Sequence, residues 1–303
     1  MKSAAAGSGP VAKKRTLDAG AIFLLFILCG SWGLNQVAIK VTNQAVAPLL
    51  QSGLRSAGAS LLILMWMLMR REPLWERDGT LWWGIAAGTL FAMEFLLVYW
   101  GLDFTLASRS SIFLYLSPFV VALGAQLFIP GENLSRIQVA GLCTAFLGIV
   151  LAFRESMGLP SMQMLIGDSM LVGAAVFWGA TTVLIKASPL VKIRPGKVLL
   201  YQLVVSAVVL LAASWTRSEP GITTLTPLIV GSLLYQTVWV AFVTYLVWFW
   251  LIRTYPPSRL ASFTFLTPLM GVLAGGLLLK DPISPVLIVA LLLVCVGIYL
   301  VNR

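Results

Sequence analysis

Ser31-Trp32-Gly33-Leu34-Asn35-Gln36-Val37-Ala38-Ile39-Lys40 recurs 146 residues later as Phe177-Trp178-Gly179-Ala180-Thr181-Thr182-Val183-Leu184-Ile185-Lys186. A second match follows at an offset of 150, where Ala107-Ser108-Arg109, Phe113 and Leu116-Ser117-Pro118 fall on Pro257-Ser258-Arg259, Phe263 and Leu266-Thr267-Pro268. The turns after these stretches agree in kind, with Glu132 in Pro-Gly-Glu-Asn against Asp281 in Leu-Lys-Asp-Pro. Apolar helices resemble one another by composition alone. Two registers only four residues apart, each keeping a Trp-Gly or hydroxyl-Pro pair, point instead to an internal duplication.

The matched stretches sit in a chain whose main solvent is not water. Of its 303 residues 59% are apolar and 11% charged, where a soluble domain carries about 25% charged residues. Apolar runs of a length that crosses the hydrocarbon core recur along it. They predict helices at about 19–40, 48–69, 80–102, 110–129 and 137–153, then at 167–187, 198–216, 228–252, 260–279 and 285–301. The expected fold is therefore all-α and polytopic, with ten transmembrane helices in two five-helix repeats, residues 18–153 and 167–303. Five is odd, so the second repeat enters the membrane from the opposite side and the pair is inverted. Inverted halves can exchange conformations and open a midplane site to either side in turn, which is alternating access.

The net charge of +10 reads as topology rather than as a nucleic-acid footprint. With the N-terminus inside, fifteen Lys and Arg fall on the cytoplasmic side, and five fall outside: Lys40, Arg109, Arg154, Arg217 and Lys280. Both termini are expected in the cytoplasm, and the chain in a bacterial inner membrane. Residues 1–17, rich in Ala, Gly and Ser, read as a disordered tail. Lys13-Lys14-Arg15 before an apolar run resembles a signal peptide, but no small-residue cleavage site closes that run.

Several chemistries are disfavoured. The chain has no histidine, which removes the commonest general base and transition-metal ligand. Cys29, Cys143 and Cys295 all lie inside apolar runs without disulfide or metal spacing. No metal or cofactor is expected. No Gly-x-x-x-x-Gly-Lys-Ser/Thr loop is present, so transport would draw on a gradient rather than on ATP. A membrane-embedded lipid enzyme would need a cluster of acids or a nucleophile with its base. None is visible in the sequence. A channel is separated from a carrier by saturable, counterflow-competent transport.

Trp32-Gly33, Arg55, Ser117-Pro118, Gly131-Glu132, Trp178-Gly179, Thr267-Pro268 and Lys280-Asp281 resemble the pattern of the drug/metabolite transporter superfamily, whose members have two EamA-type domains of five helices each. The chain departs from it with Asp281 in place of the usual Glu and no second-half counterpart of Arg55. Glu94 and the general spacing are most similar to aromatic amino acid exporters of the YddG type. The resemblance implies an exporter of small amphiphilic solutes, amino acids foremost, with drugs or cationic metabolites as the alternative. It implies a monomer in the lipid bilayer and no nucleic-acid partner.

Candidate cavity residues follow from the cost of polar groups in lipid. Ser31, Trp32, Asn35 and Gln36 share one helix face, and an amide pair turned to lipid would be costly. Asn35 and Gln36 line a cavity or act as hydrogen-bonding glue between helices. Trp178, Thr181 and Thr182 form the matching face in the second half. Glu94 is placed as the single carboxylate near the bilayer interior, as proton carrier, as partner of an ammonium group, or as a structural acid beside Arg55. Phe95, Trp239 and Tyr245 are mid-span aromatics able to stack on a ring or hold an ammonium. Pro118 and Pro268 read as hinges or static kinks. Gly84-x-x-x-Gly88 and Gly271-x-x-x-Gly275 read as helix-packing motifs.

Overall fold

A computed structural model describes residues 16–73, 78–154, 158–278 and 285–303, apart from the side chains of residues 107 and 108. Lys2, Lys13-Lys14-Arg15 and nearly all of the expected tail, together with Arg77 and Lys280-Asp281, lie outside the described residues.

The described chain is helical. Its α-helical segments are α1 (Ala19–Thr42), α2 (Pro48–Met69), α3 (Leu81–Gly101), α4 (Ala107–Phe113), α5 (Ser117–Phe128) and α6 (Arg136–Ala152). They continue with α7 (Met162–Ala187), α8 (Pro195–Thr216), α9 (Pro227–Leu234), α10 (Tyr245–Thr254), α11 (Pro257–Phe263), α12 (Leu266–Leu278) and α13 (Val286–Asn302). A 3-10 turn at Leu114–Leu116 joins α4 to α5, and a π-helical stretch at Tyr235–Thr244 joins α9 to α10. Counting such joined runs as one, eight described helices are long and apolar enough to cross a membrane. The remaining two, α6 and α13, are apolar but shorter, with 17 residues each.

Local sequence explains where these helices start. Asp18 accepts the Ala21 N–H at 2.9 Å to cap α1, and Ser161 caps α7. Ser135 and Gln138 form a reciprocal capping box at α6. Proline stands in the first turn of α2, α8 and α9, where its missing N–H costs nothing. The first turn of α2 has no cap of its own. Glu219, from the loop after α8, supplies it by accepting Leu49 N–H at 3.1 Å and Leu50 N–H at 2.9 Å.

The polarity of the molecule is that of a lipid-immersed bundle. Phe23, Leu61, Leu127, Val208 and Leu292 are exposed, while Arg55, Glu94, Asp168, Lys186 and Gln202 are buried. In water so much exposed apolar surface would drive association; in a bilayer it meets acyl chains. The chain is a multi-pass membrane protein.

Packing pairs helices from the two ends of the sequence. α1 runs along α12 and touches the π-helical stretch, while α7 runs along α5 and α3. α2 lies against α8 and the π-helical stretch, α3 also packs on α8, and α6 lies along α13. Glycines set the closest approaches. A methyl group on Gly33 would lie 2.7 Å from Gly271 N, and one on Gly179 would lie 2.6 Å from Val120 Cβ. Each Trp-Gly pair therefore presses its helix onto a Pro-bearing partner, α12 or α5, and so aims the neighbouring tryptophan. Gly88 likewise admits Val205 of α8, 2.7 Å from where its Cβ would stand, so this glycine of the Gly84-x-x-x-Gly88 motif packs as expected.

Two buried cations counted by charge as loop residues act as helix ties. Lys186 Nζ donates to the Ile252, Arg253 and Tyr255 carbonyls, three otherwise orphan acceptors at the end of α10. Lys197 pairs with Asp78 at 2.6 Å, and Thr80 donates to the same carboxylate through N–H at 3.0 Å and O–H at 2.7 Å. Desolvation pushes the Asp78 carboxyl up, but these donors outweigh it and hold the group at about 2, below its ordinary 3.8. A depressed folded-state value stabilises above the unfolded value and ceases to do so as pH falls through the folded one. The tie is thus expected to be fully present above about pH 4 and lost toward pH 2. Thermal melts of Asp78→Asn between pH 6 and 3 should show a shallower acid decline than the parent; identical slopes would refute this.

Candidate substrate cavity

The bundle encloses a cavity of about 1060 Å³ of empty space, its open side included. α1 contributes Trp32, Asn35 and Gln36; α2 contributes Arg55; α3 contributes Phe91, Glu94, Phe95 and Tyr99. Across it stand Tyr115, Trp178, Thr181, Thr182, Gln202, Tyr245, Trp248, Phe249 and Thr267.

Tryptophan orientation is fixed by neighbours as well as by glycine. Trp32 Nε1 donates to Thr244 Oγ at 2.9 Å, and its ring meets Trp248 edge-on at 5.4 Å and Tyr245 at 6.3 Å. Trp178 meets Tyr115 edge-on at 5.9 Å. Phe91 bridges Tyr245 at 5.9 Å and Phe95 at 5.0 Å, so aromatic edges and faces form a continuous wall. Thr244, the acceptor for Trp32, ends the π-helical stretch and donates onward to Val240 O. Such widened turns are rare and recur at functional sites.

The polar members of the wall are strongly buried and poorly partnered. Glu94 is 8% exposed, and no described residue hydrogen-bonds or ion-pairs its carboxyl. Arg55 is 1% exposed; its one hydrogen bond among the described residues runs from Nη2 to Ser52 Oγ at 3.4 Å, and its Nε is unpartnered. The Phe95 ring centroid lies 4.4 Å from the Arg55 guanidinium carbon. Both amide atoms of Gln202 and the Asn35 Oδ1 are also buried without a partner.

Of the nine residues named from sequence as candidates for a substrate cavity, eight come together around this one: Trp32, Asn35, Gln36, Glu94, Phe95, Trp178, Thr182 and Tyr245. Trp239 does not. It is 40% exposed and donates its indole N–H to Ser31 Oγ at 2.9 Å on the outside of the bundle. Mid-span position sets depth along a helix but not azimuth around it, and the π-helical turn that carries Trp239 departs from the ordinary helical period. Ser31, expected on the Trp32 face, accepts that bond and does not line the cavity.

Glu94 is not the single carboxylate buried within a span, as the sequence reading placed it. Asp168 is a second buried carboxylate within a span, accepting from Arg109 Nε at 3.1 Å and Nη2, and from Thr105 Oγ at 2.7 Å. It stands one residue inside the predicted start of its helix and so reads as a terminal acid. Gln202 was missed although it is an amide within a predicted span, the signal that singled out Asn35 and Gln36. Pro118 and Pro268 both stand just after a break: Tyr115 has ψ of 17°, and Thr264-Phe265 interrupt α11 and α12. Each proline leaves the carbonyl four residues earlier without its helical donor, which accounts for the position of both breaks.

The EamA-like transporter family model matches residues 19–154 and, a second time, residues 165–303. The chain belongs to the EamA-like transporter family. Over 279 residues it is 29% identical to the uncharacterized transporter YvbV of Bacillus subtilis (strain 168), covering 92% of this chain and 90% of that protein. Over 292 residues it is 25% identical to a probable amino-acid metabolite efflux pump of Escherichia coli (strain K12), covering 93% of both. A solved crystal structure shares the fold with a TM-score of 0.81 at 17% identity, covering 94% of this chain and 96% of that one. As an EamA-like protein the chain is a membrane transporter.

Proposed function

We propose that this EamA-like protein is a secondary carrier exporting small amphiphilic solutes, amino acids with aromatic or other apolar side chains foremost, from the cytoplasm across the bacterial inner membrane. The observation that carries the reading is the cavity itself, a wall of aromatic rings interrupted by Arg55, Glu94 and unpartnered amides, built from both matched segments of the chain. Pockets of this kind orient a ligand by a few polar groups in an apolar surround. The name of the Escherichia coli relative supports the amino-acid class, and the ring-lined wall suits an aromatic side chain.

The mechanism in this reading is alternating access by two inverted five-span repeats, residues 18–153 and 167–303, with α6 and α13 as their short fifth spans. Support comes from the packing. Exchanging the first five spans with the last five turns the α1–α12 contact into α7–α5, and turns α3–α8 into the contact of the π-helical stretch with α2. The α2–α8 and α6–α13 contacts map onto themselves. Both halves lie in one chain, so a monomer suffices, and the charge bias places both termini in the cytoplasm. The breaks before Pro118 and Pro268 serve as paired hinges; the double variant to alanine is expected to slow exchange severalfold, and an unchanged rate would sink that role.

Reconstitution into liposomes tests the carrier itself. Saturable counterflow of labelled phenylalanine is expected, and Glu94→Gln should slow it about tenfold or more, because a carboxylate facing solute is replaced by a neutral amide. Unchanged uptake by the variant, with and without a pH gradient, would exclude Glu94 as either solute partner or proton site. Cationic drugs are the second solute class, favoured by Glu94 among aromatic rings; labelled tetraphenylphosphonium in the same vesicles distinguishes it.

A further inference from the structure

Arg55 is a cation placed where a merely structural arginine would be expensive. A guanidinium has five N–H donors, and a buried one is ordinarily matched by a carboxylate or several carbonyls. Here its one hydrogen bond among the described residues is a long one to Ser52 Oγ, the face of Phe95 lies against it, Glu94 acts on it only through space, and its Nε stands buried without an acceptor. The residue that follows Glu94 in α3 is Phe95, whose ring lies against that guanidinium, so the acid and the base line the same region of the cavity. Among the described residues they nevertheless do not form an ion pair. An unpaired cation and an unpaired acid, facing one cavity but held out of contact, leave room for a ligand that answers both.

We infer that Arg55 is the carboxylate-binding residue of this transporter and that, with Glu94, it selects zwitterions. The α-carboxylate of an amino acid takes the Arg55 guanidinium, the α-ammonium on the same carbon takes Glu94, and the apolar side chain lies along the Phe91, Trp32 and Tyr245 wall. This deepens the amino-acid reading above and rests on it. It goes beyond that reading by excluding amines and plain carboxylates as good substrates. A site that leaves a buried charged group unmatched when one ligand charge is missing discriminates far more strongly than an apolar pocket does.

The test uses the wild-type full chain in liposomes, with labelled phenylalanine counterflow and three unlabelled competitors: phenylalanine, phenethylamine and 3-phenylpropionate. The inference expects phenylalanine to compete about 100-fold better than either analogue. Competition by phenethylamine within a fewfold of phenylalanine overturns the Arg55 assignment while leaving the carrier intact. Equal competition by 3-phenylpropionate overturns the Glu94 half. No counterflow of phenylalanine at all overturns the amino-acid reading and this inference with it. Arg55→Lys keeps charge but loses the planar fork, and it should raise the KM for phenylalanine while narrowing the gap to phenethylamine. A rise in KM with the gap unchanged is the mark of a structural role and counts against the inference. Because the analogue series is read on the unaltered protein, misfolding of a variant does not protect the proposal.

Discussion

Asp168→Ala is expected to lower the melting temperature of the detergent-solubilised protein by about 10 °C, because it removes the acid from a buried ion pair and leaves the base behind. Arg109 reaches Asp168 through Nε and Nη2, and the side chains are 5% and 7% exposed. Breaking such a pair by deleting one partner costs about 3–5 kcal/mol, most of it the desolvation penalty of the remaining charge. For a chain of this size each kcal/mol moves the melting temperature by about 2 °C. Thr105 would lose its acceptor as well, since its hydroxyl donates to the same carboxylate at 2.7 Å. The pair ties the start of α4 to the start of α7, and α7 carries Trp178, Thr181 and Thr182 into the cavity wall. Replacing both Arg109 and Asp168 by apolar residues should recover part of the loss. A melting temperature of Asp168→Ala within about 2 °C of the parent would refute the argument.

Gly297→Leu is expected to have a comparable or larger effect, seen as loss of monodisperse protein on detergent size-exclusion chromatography. A Cβ at Gly297 would lie 2.5 Å from both Ala145 N and Gly141 O, and one at Gly141 would lie 2.7 Å from Gly297 O. Backbone meets backbone along α6 and α13, so no side-chain rotation can relieve the clash. Overpacking usually costs about 1–3 kcal/mol, and more where the backbone itself must move. In lipid the association of these two helices rests on close van der Waals contact, with no hydrophobic force to compensate. Gly30→Leu provides the control, since a Cβ there has nothing within 4 Å. Equal recovery of the two variants would show that α6 and α13 are not held by this contact.

These expectations also mark where sequence reading reached and where it stopped. Hydropathy located the spans to within a few residues of the observed helices, because a stretch that crosses hydrocarbon must be apolar whatever its neighbours are. The cost of an amide or carboxylate in lipid identified Asn35, Gln36 and Glu94, which line the cavity. The same rule applied to Gln202 would have found it. Trp239 was misplaced because an indole is tolerated on either side of a helix wall, so its chemistry carries no azimuth. Arg109 and Lys186 were read as loop charges for the topology count, whereas one is buried in an ion pair and the other caps α10. A span-end cation looks the same in sequence whether it enters water or turns inward.

The backbone contact between α6 and α13 illustrates the boundary. Sequence motifs pointed to Gly84-x-x-x-Gly88 and Gly271-x-x-x-Gly275, yet Gly297 meets α6 backbone to backbone without such a spacing. Sequence by itself determined the membrane class, the span positions and the doubled Trp-Gly and hydroxyl-Pro pattern, since each depends on local polarity or on repetition along one chain. Tertiary structure alone decided which rings share the cavity, that Arg55 stands in it beside Phe95 with no direct ion pair among the described residues, and that Asp168 has Arg109. Those facts depend on residues tens to hundreds of positions apart, brought together by helix packing that lipid leaves to shape rather than to hydropathy.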